Sequence, residues 1–214
     1  MTSRSEINND LSRMLNHTKE MLEMLHEGFK QHNLDSLGKV EELEKNLYKD
    51  SERLLKSLLE EKDEEGIKHF ITISEYFNRI GYGLRKMLNA IDKKVVGDVL
   101  FSDKSVTEAN KLFGELQELL TCLGDCINTC NRVLVDHICG RVKGLCELAD
   151  EYAIFHEDRL ISGVCTPMNA PIYLDILDSF KSIAWHTGEI TRNIAKVCSA
   201  NNGAEGLSKL ETTY

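Results

Sequence analysis

Apolar residues recur every three or four positions along most of the chain, the spacing that places them on one side of an α-helix. The first such stripe consists of Ile7, Leu11, Met14, Leu15, Leu22, Leu25 and Phe29. The same pattern along the chain predicts six long helices, at about 5–31, 34–61, 67–92, 105–132, 134–161 and 172–198. The connections between them are short, so consecutive helices are expected to be antiparallel.

The ends of these helices are predicted from capping residues and helix breakers. Ser3–Glu6 and Ser105–Glu108 each have the spacing of a capping box, in which a serine and a glutamate satisfy free backbone N–H groups. Asp63–Gly66 is expected to be a polar turn. Ser162–Pro171, with one glycine and two prolines, is expected to be a loop that ends where a proline can begin a helix.

The helices fall into two similar groups of three. A short connector at 95–103 contains Gly97 and is the best boundary, which divides the chain into repeats at 1–97 and 98–198 and a flexible tail at 199–214. The predicted fold is therefore all-α, with two tandem antiparallel three-helix bundles. Gly81 and Gly83 lie inside the third helix, where close packing against another helix would explain them.

The composition narrows the classes of function. The net charge of −9 argues against binding to a phosphate backbone, so no nucleic-acid partner is expected. There is no apolar run of the roughly 18 residues that a membrane span needs, and the N-terminus lacks the apolar segment of a secretory signal. The seven cysteines form no CxxC motif, so a cytoplasmic protein without a disulfide framework is expected.

Enzyme motifs are incomplete in this sequence. His156-Glu157 begins an HExxH-like string, but Leu160 occupies the position of the second histidine. Glu23 and His26 form one ExxH pair, whereas a ferritin-like di-iron site needs two on separate helices. The sequence therefore predicts a protein that is not an enzyme.

Several cysteines share one side of a predicted helix. Cys122, Cys126 and Cys130 are spaced four residues apart, so they could supply thiolate ligands to a metal. The alternative is that they are small apolar core residues, since leucines and isoleucines continue the same stripe. Cys139 and Cys146 on the next helix could complete a metal cluster or form the facing core layer.

Four segments resemble one known family. Val40–Tyr48, Phe77–Tyr82, Val142–Asp150 and Tyr173–Ile183 are similar to the second and third helices of the PhoU repeat. The PhoU family comprises regulators of phosphate transport and includes the cytosolic PhoU-type domain of sodium/phosphate cotransporters. The resemblance covers roughly residues 8–198 and implies a doubled three-helix fold.

The resemblance also implies a function and a metal site. PhoU-type proteins are adaptors between a phosphate transporter and its regulation, and several bind iron or zinc through acidic helix motifs. At the matching positions this chain retains Glu44 and Asp150, and Asp175 and Asp178 on the last helix are further candidates. Two carboxylates one turn apart share a helix face, so two helices could surround a metal with oxygen ligands.

This chain departs from the family pattern at several acidic positions. Tyr48, Asn78, Tyr82, Cys146 and Trp185 stand where the family tends to have acidic residues. Aromatic side chains at these positions fit packed seams between helices better than a metal shell. Two interpretations follow: a site that binds iron or zinc, or a degenerate site kept for packing or for contact with a partner.

The sequence therefore predicts a PhoU-like regulator or accessory module of phosphate transport. It would act by contact with a phosphate transporter or a phosphate-signalling protein, in the cytoplasm or at the inner face of the membrane. A homodimer is compatible with the amphipathic helices. The alternatives are a helical metal-binding or redox protein and a structural helical adaptor unrelated to phosphate.

Overall fold

The computed structural model describes residues 4–31, 37–59 and 64–208. Within these ranges the chain forms six α-helices and one short 3-10 helix. Their bounds are α1 Arg4–Gln31, α2 Gly38–Leu59, α3 Glu64–Val96, α4 Asp103–Thr129, α5 Arg132–Ile161, the 3-10 helix Pro167–Asn169 and α6 Ala170–Ser208. The prediction of an all-α fold with six long helices is confirmed.

Several predicted helix ends differ from the structure; α3, for example, ends at Val96 and not at 92. The helix α3 begins at Glu64, so Glu64–Gly66 is helical rather than part of a polar turn. Glutamates are good helix formers, and one glycine is too weak a breaker to exclude the first turn. The helix α6 continues ten residues beyond the predicted end at Cys198, since no proline follows to stop it.

Some predictions fall outside the described residues. They concern Ser3 as a helix cap, the start of the second helix at 34–36, its end at 60–61, Asp63 of the polar turn and the end of the chain at 209–214. The flexibility of the tail and the division into repeats at residue 97 stay predictions.

The cap of α4 lies three residues before the predicted one. Ser102 has an extended backbone, and its side-chain oxygen accepts a hydrogen bond from the backbone N–H of Ser105 at 3.2 Å. Ser105 is already inside the helix and buried. The predicted capping box is therefore wrong, and Glu108 pairs with Arg159 of α5 instead of with the backbone.

Consecutive helices within each half are antiparallel, as predicted. Between α2 and α3, the Ser51 and Ser74 hydroxyls lie 2.7 Å apart, and further along Arg85 pairs with Glu44. Along this interface the residue numbers of the contacting residues rise on α3 as they fall on α2, so the two helices are antiparallel. Each half buries its three apolar stripes against one another, and the buried residues of both halves form one continuous core.

The two halves meet mainly through α3 and α6, which have the most extensive contact of any described helix pair. These helices run antiparallel, since His69 lies 3.0 Å from Asn193 and Lys86 lies 3.3 Å from Asp175. The helices α1 and α4 also touch, whereas α2 and α5 lie on the two far sides. The molecule therefore has one broad face formed by α3 and α6, here called the α3/α6 face, and an opposite groove between α1 and α4.

The glycines of α3 explain how closely the helices approach. A Cβ atom at Gly83 would lie 2.9 Å from Cγ1 of Ile183 on α6. A Cβ atom at Gly81 would lie 2.9 Å from Cδ2 of Leu47 on α2. Real Cβ atoms do not come so close to their neighbours, so close packing accounts for both glycines, as predicted.

None of the helices in the described ranges combines the length and apolar character that crossing a membrane requires.

Candidate functional site: the α3/α6 face

Three aromatic side chains at the positions that depart from the family pattern are exposed, two of them on the α3/α6 face and one on the neighbouring helix α2. Tyr82 on α3 is 69% exposed, Trp185 on α6 is 46% exposed, and Tyr48 on α2 is 42% exposed. The sequence interpretation that they form packed seams is therefore wrong for Tyr82, which is the most exposed of the three. The cause for Tyr82 is geometric: its neighbours Gly81 and Gly83 face α2 and α6, so Tyr82 points between the two helices and outward.

Trp185 is held in place by its neighbours. Its ring meets Tyr76 of α3 edge to face at 6.0 Å and meets His186 at 5.0 Å. The guanidinium of Arg79 lies 5.9 Å from the centre of the Tyr76 ring, within the range of a cation–π interaction. Burial, and then the positive charge of Arg79, lower the pKa of His186 to about 4. The cluster therefore presents an ordered, partly exposed indole beside a neutral imidazole.

The predicted metal ligand Glu44 is buried and paired. Its carboxylate accepts a hydrogen bond from Arg85 of α3, and the same guanidinium bonds Glu41 at 2.9 Å. Tyr48 lies one turn after Glu44 on α2, and burial, followed by the charge of Glu44, raises the pKa of its hydroxyl. The charge of Glu44 is thus balanced by an arginine.

The other three predicted ligands come together in one network. Lys181 donates to Asp150 at 2.9 Å and to Asp178 at 3.0 Å, which joins α5 to α6. Lys86 of α3 lies 3.3 Å from Asp175 and 3.9 Å from Asp178. Glu44 is not part of this network.

In the part of the chain that the structure describes, no three histidine, cysteine or acidic side chains are grouped so as to hold a metal ion. A metal bound to the three aspartates would first have to displace both lysine ammonium groups. Iron or zinc binding at Glu44, Asp150, Asp175 and Asp178 stays a prediction.

The cysteines predicted to share one face have different environments. Cys126 is fully buried in the core, and burial raises the pKa of its thiol to about 11. Cys130, one turn later, forms a disulfide with Cys198 of α6. The expectation of a chain without disulfides is therefore wrong for this pair. Tertiary packing brings together two residues that are 68 positions apart in the sequence.

A buried ionic cluster joins α1 to α2 and was not predicted. The carboxylates of Asp10 and Asp50 are both buried, and each accepts a hydrogen bond from an arginine three residues later, Arg13 and Arg53. Arg53 also reaches Asp10 at 3.5 Å, and His17 lies 3.2 Å from Asp50. The residues of this cluster come from two helices, so no local sequence motif predicts it.

A second polar cluster lies in the core of the other half. Arg159 donates two hydrogen bonds to Glu108, at 2.8 and 2.7 Å, and the hydroxyl of Tyr173 donates to Glu108 at 2.7 Å. Burial and the neighbouring carboxylate raise the pKa of Tyr173. His156 packs against Tyr173 with ring centres 4.7 Å apart, and neither of its ring nitrogens has a hydrogen-bond partner.

On the opposite side, α1 and α4 form an open groove of about 510 Å³. His26 forms part of its wall, stacked on Phe113 at 4.3 Å with its Nε2 atom 2.8 Å from Asn110. The predicted ExxH pair of Glu23 and His26 thus lines a groove wall.

The described helices form a PhoU-like fold, a helical bundle of two three-helix halves. The solved structure to which this similarity refers is PhoU from Pseudomonas aeruginosa, with a TM-score of 0.76. The match covers 92% of this chain and 97% of that chain at 11% sequence identity, so it shows the fold. No protein-family model and no curated protein sequence matches this chain.

Proposed function

We propose that this protein is a regulator or accessory module of phosphate transport that acts by binding a protein partner. The observation that carries the proposal is the aromatic cluster of Trp185, Tyr76, His186 and Arg79 on the α3/α6 face of a PhoU-like fold, where Tyr82 is also exposed. The proposed partner is a phosphate transporter or a phosphate-signalling protein, and the proposed location is the cytoplasm, at the inner face of the membrane. The proposed role is non-enzymatic.

The aromatic cluster has the chemistry of a protein-binding surface. Tryptophan, tyrosine and arginine are the residues most enriched among those that dominate binding energy. Tyr76 and His186 already hold the Trp185 side chain in place. Trp185 would therefore lose little side-chain entropy when a partner binds it. The acidic chain, at a net charge of −9, favours a protein over a nucleic acid.

Photo-crosslinking tests this proposal. A photoreactive phenylalanine analogue would replace Tyr82 or Trp185 in the native host grown with limiting phosphate. Position Ile161 is the control, since it is 86% exposed at the far end of α5. We expect crosslinks to a phosphate-transport or phosphate-signalling protein from 82 and 185 but not from 161.

Two other outcomes would contradict the proposal. If positions 82 and 185 crosslink only to proteins without a role in phosphate transport or signalling, the protein would be a structural adaptor unrelated to phosphate. Crosslinks only between copies of this chain would identify the face as a homodimer interface instead.

Metal binding is the second candidate function, favoured by the meeting of Asp150, Asp175 and Asp178 around two lysines. Iron or zinc would be the ligand. Elemental analysis of native protein, with a thermal-shift scan against a chelator, tests it. About one equivalent of metal and a lower Tm in chelator would support this candidate. Metal-free protein with an unchanged Tm would contradict it.

A further inference from the structure

One end of the molecule holds a covalent link between α4 and α6. Cys130 ends α4 in the left-handed conformation, with φ of 52°, and its Cα atom lies 5.9 Å from that of Cys198. Arg4 at the start of α1 donates hydrogen bonds to both sulfurs, at 2.9 Å to Cys130 and 3.3 Å to Cys198. Three helices therefore converge on the two sulfur atoms.

The surroundings of the pair differ from those of an inert core cysteine. A guanidinium beside a sulfur stabilises the thiolate, which is the reactive form in thiol–disulfide exchange. Cys130 is only partly buried, so a small molecule can reach it, whereas Cys198 is nearly covered. Cys126 lies one turn away on the same helix, buried among apolar residues, and burial raises the pKa of its thiol.

The link also lies over the junction between the two halves. The crevice beneath it is lined by Leu11 of α1, Phe70 of α3, Ile127 of α4 and Ile194 of α6. These are the four helices through which the halves contact each other. Opening the link removes the covalent restraint between the end of α4 and the C-terminal part of α6 at this junction.

We propose that Cys130 and Cys198 form a reversible redox site, which low-molecular-weight disulfides such as glutathione disulfide close and dithiols open. The thiolate of Cys130 attacks one sulfur of glutathione disulfide, whose S–S bond breaks. The departing glutathione sulfur keeps the electron pair and takes up the proton that Cys130 lost. A mixed disulfide between Cys130 and glutathione remains.

The second step closes the site. The deprotonated sulfur of Cys198 attacks Cys130 in the mixed disulfide, and the second glutathione leaves as a thiol with the proton from Cys198. In sum the two cysteines lose two electrons and two protons, and one glutathione disulfide becomes two glutathione thiols. Reduction by a dithiol reverses both steps.

The state of the site can be read directly in the full chain. The protein would be equilibrated with glutathione buffers of graded ratio, alkylated and mapped by mass spectrometry. We expect a 130–198 crosslinked peptide in oxidising buffer, both cysteines alkylated in reducing buffer, and an oxidised form that melts about 10 °C higher. The shift follows from closing a loop of 68 residues.

Matched variants separate the site from general effects of cysteine removal. Cys130→Ser and Cys198→Ser should each abolish the redox-dependent melting shift, and Cys165→Ser, which removes a free thiol elsewhere, should retain it. Arg4→Gln should slow oxidation several-fold. Free thiols at 130 and 198 in glutathione disulfide, or equal melting of the oxidised and reduced wild-type protein, would overturn the proposal. Both readouts use the wild-type chain, so they do not depend on the folding of a variant.

Discussion

Gly83 of α3 packs directly against Ile183 of α6, so that a methyl group at position 83 would lie 2.9 Å from the Cγ1 atom of the isoleucine. Ile183 is buried and branched at its β-carbon, so it cannot swing away without moving its neighbours. At this point of contact the missing side chain of Gly83 allows α3 and α6 to lie close together. Because Gly81 and Gly83 face α2 and α6, Tyr82 between them points outward.

Replacement of Gly83 by alanine should destabilise the protein. The added methyl group would push α3 and α6 apart, and we expect a net loss of about 1–2 kcal/mol in the free energy of unfolding. Gly140→Ala is the control, because nothing lies within 4 Å of that position in α5, and a gain of about 0.5–1 kcal/mol is expected there. Urea unfolding measures both. Equal effects at the two positions would contradict close packing at Gly83.

Removing Glu108 should be far more harmful than removing a surface carboxylate. Glu108→Ala leaves Arg159 as a buried cation without its partner, and the expected loss is about 3–5 kcal/mol. Tyr173→Phe removes one hydrogen bond and should cost about 1–2 kcal/mol. Glu52→Gln in the exposed pair with Lys56 should change stability by less than about 0.5 kcal/mol. Denaturant midpoints that rank these variants differently would argue against a buried network.

Acid should destabilise the fold through one buried and two half-buried histidines. Burial lowers the pKa of His26, His156 and His186, the last to about 4, so folding favours their neutral forms. Their contribution to stability is complete above the unfolded pKa of 6.5 and is lost as the pH falls toward the folded values. His186 faces Arg79 and Glu189. Its protonation should lower the free energy of unfolding at pH 5, relative to pH 7.5, by about 2 kcal/mol or less.

Urea midpoints between pH 7.5 and 5 measure this loss. The variant His186→Gln should flatten the profile, whereas His137→Gln, at an exposed position, should leave it unchanged. A profile of the same slope in His186→Gln would show that this histidine does not contribute.

Trp185 should report partner binding by fluorescence. It is the single tryptophan of the chain and is about half exposed, so acrylamide should quench its emission in the free protein. A partner on the α3/α6 face should shift the emission to the blue and reduce quenching about two-fold or more, because the indole loses contact with water. Titrating the protein with the partner that crosslinking identified, while recording tryptophan emission, tests this. Binding without any change in emission would place the contact elsewhere.

Trp185→Ala should separate binding from stability. The side chain is partly exposed, so its loss should cost less than about 1.5 kcal/mol of stability while it lowers affinity for the partner ten-fold or more. Ile161→Ala is the matched control on another surface and should leave the affinity unchanged. A variant at Trp185 that binds normally would remove the aromatic cluster from the proposed interface.

Much of the architecture could be predicted from the sequence. The apolar stripes predicted helices at 5–31 and 134–161, and the structure has them at Arg4–Gln31 and Arg132–Ile161. Such stripes are visible locally because every turn of a core-facing helix repeats the pattern. Helix ends were less predictable, since serines at 102 and 105 both suit a cap and only the backbone geometry separates them.

The candidate site could be located only in part. The sequence alone determined which helices carry the acidic residues, where the aromatic replacements stand and that the fold is a doubled three-helix bundle. The tertiary structure decided that Asp150 pairs with Lys181, that Tyr82 is exposed and that Cys130 reaches Cys198. The physical reason is that helix formation depends on neighbours three or four positions away. Charge pairing, exposure and disulfide formation depend instead on how separate helices pack.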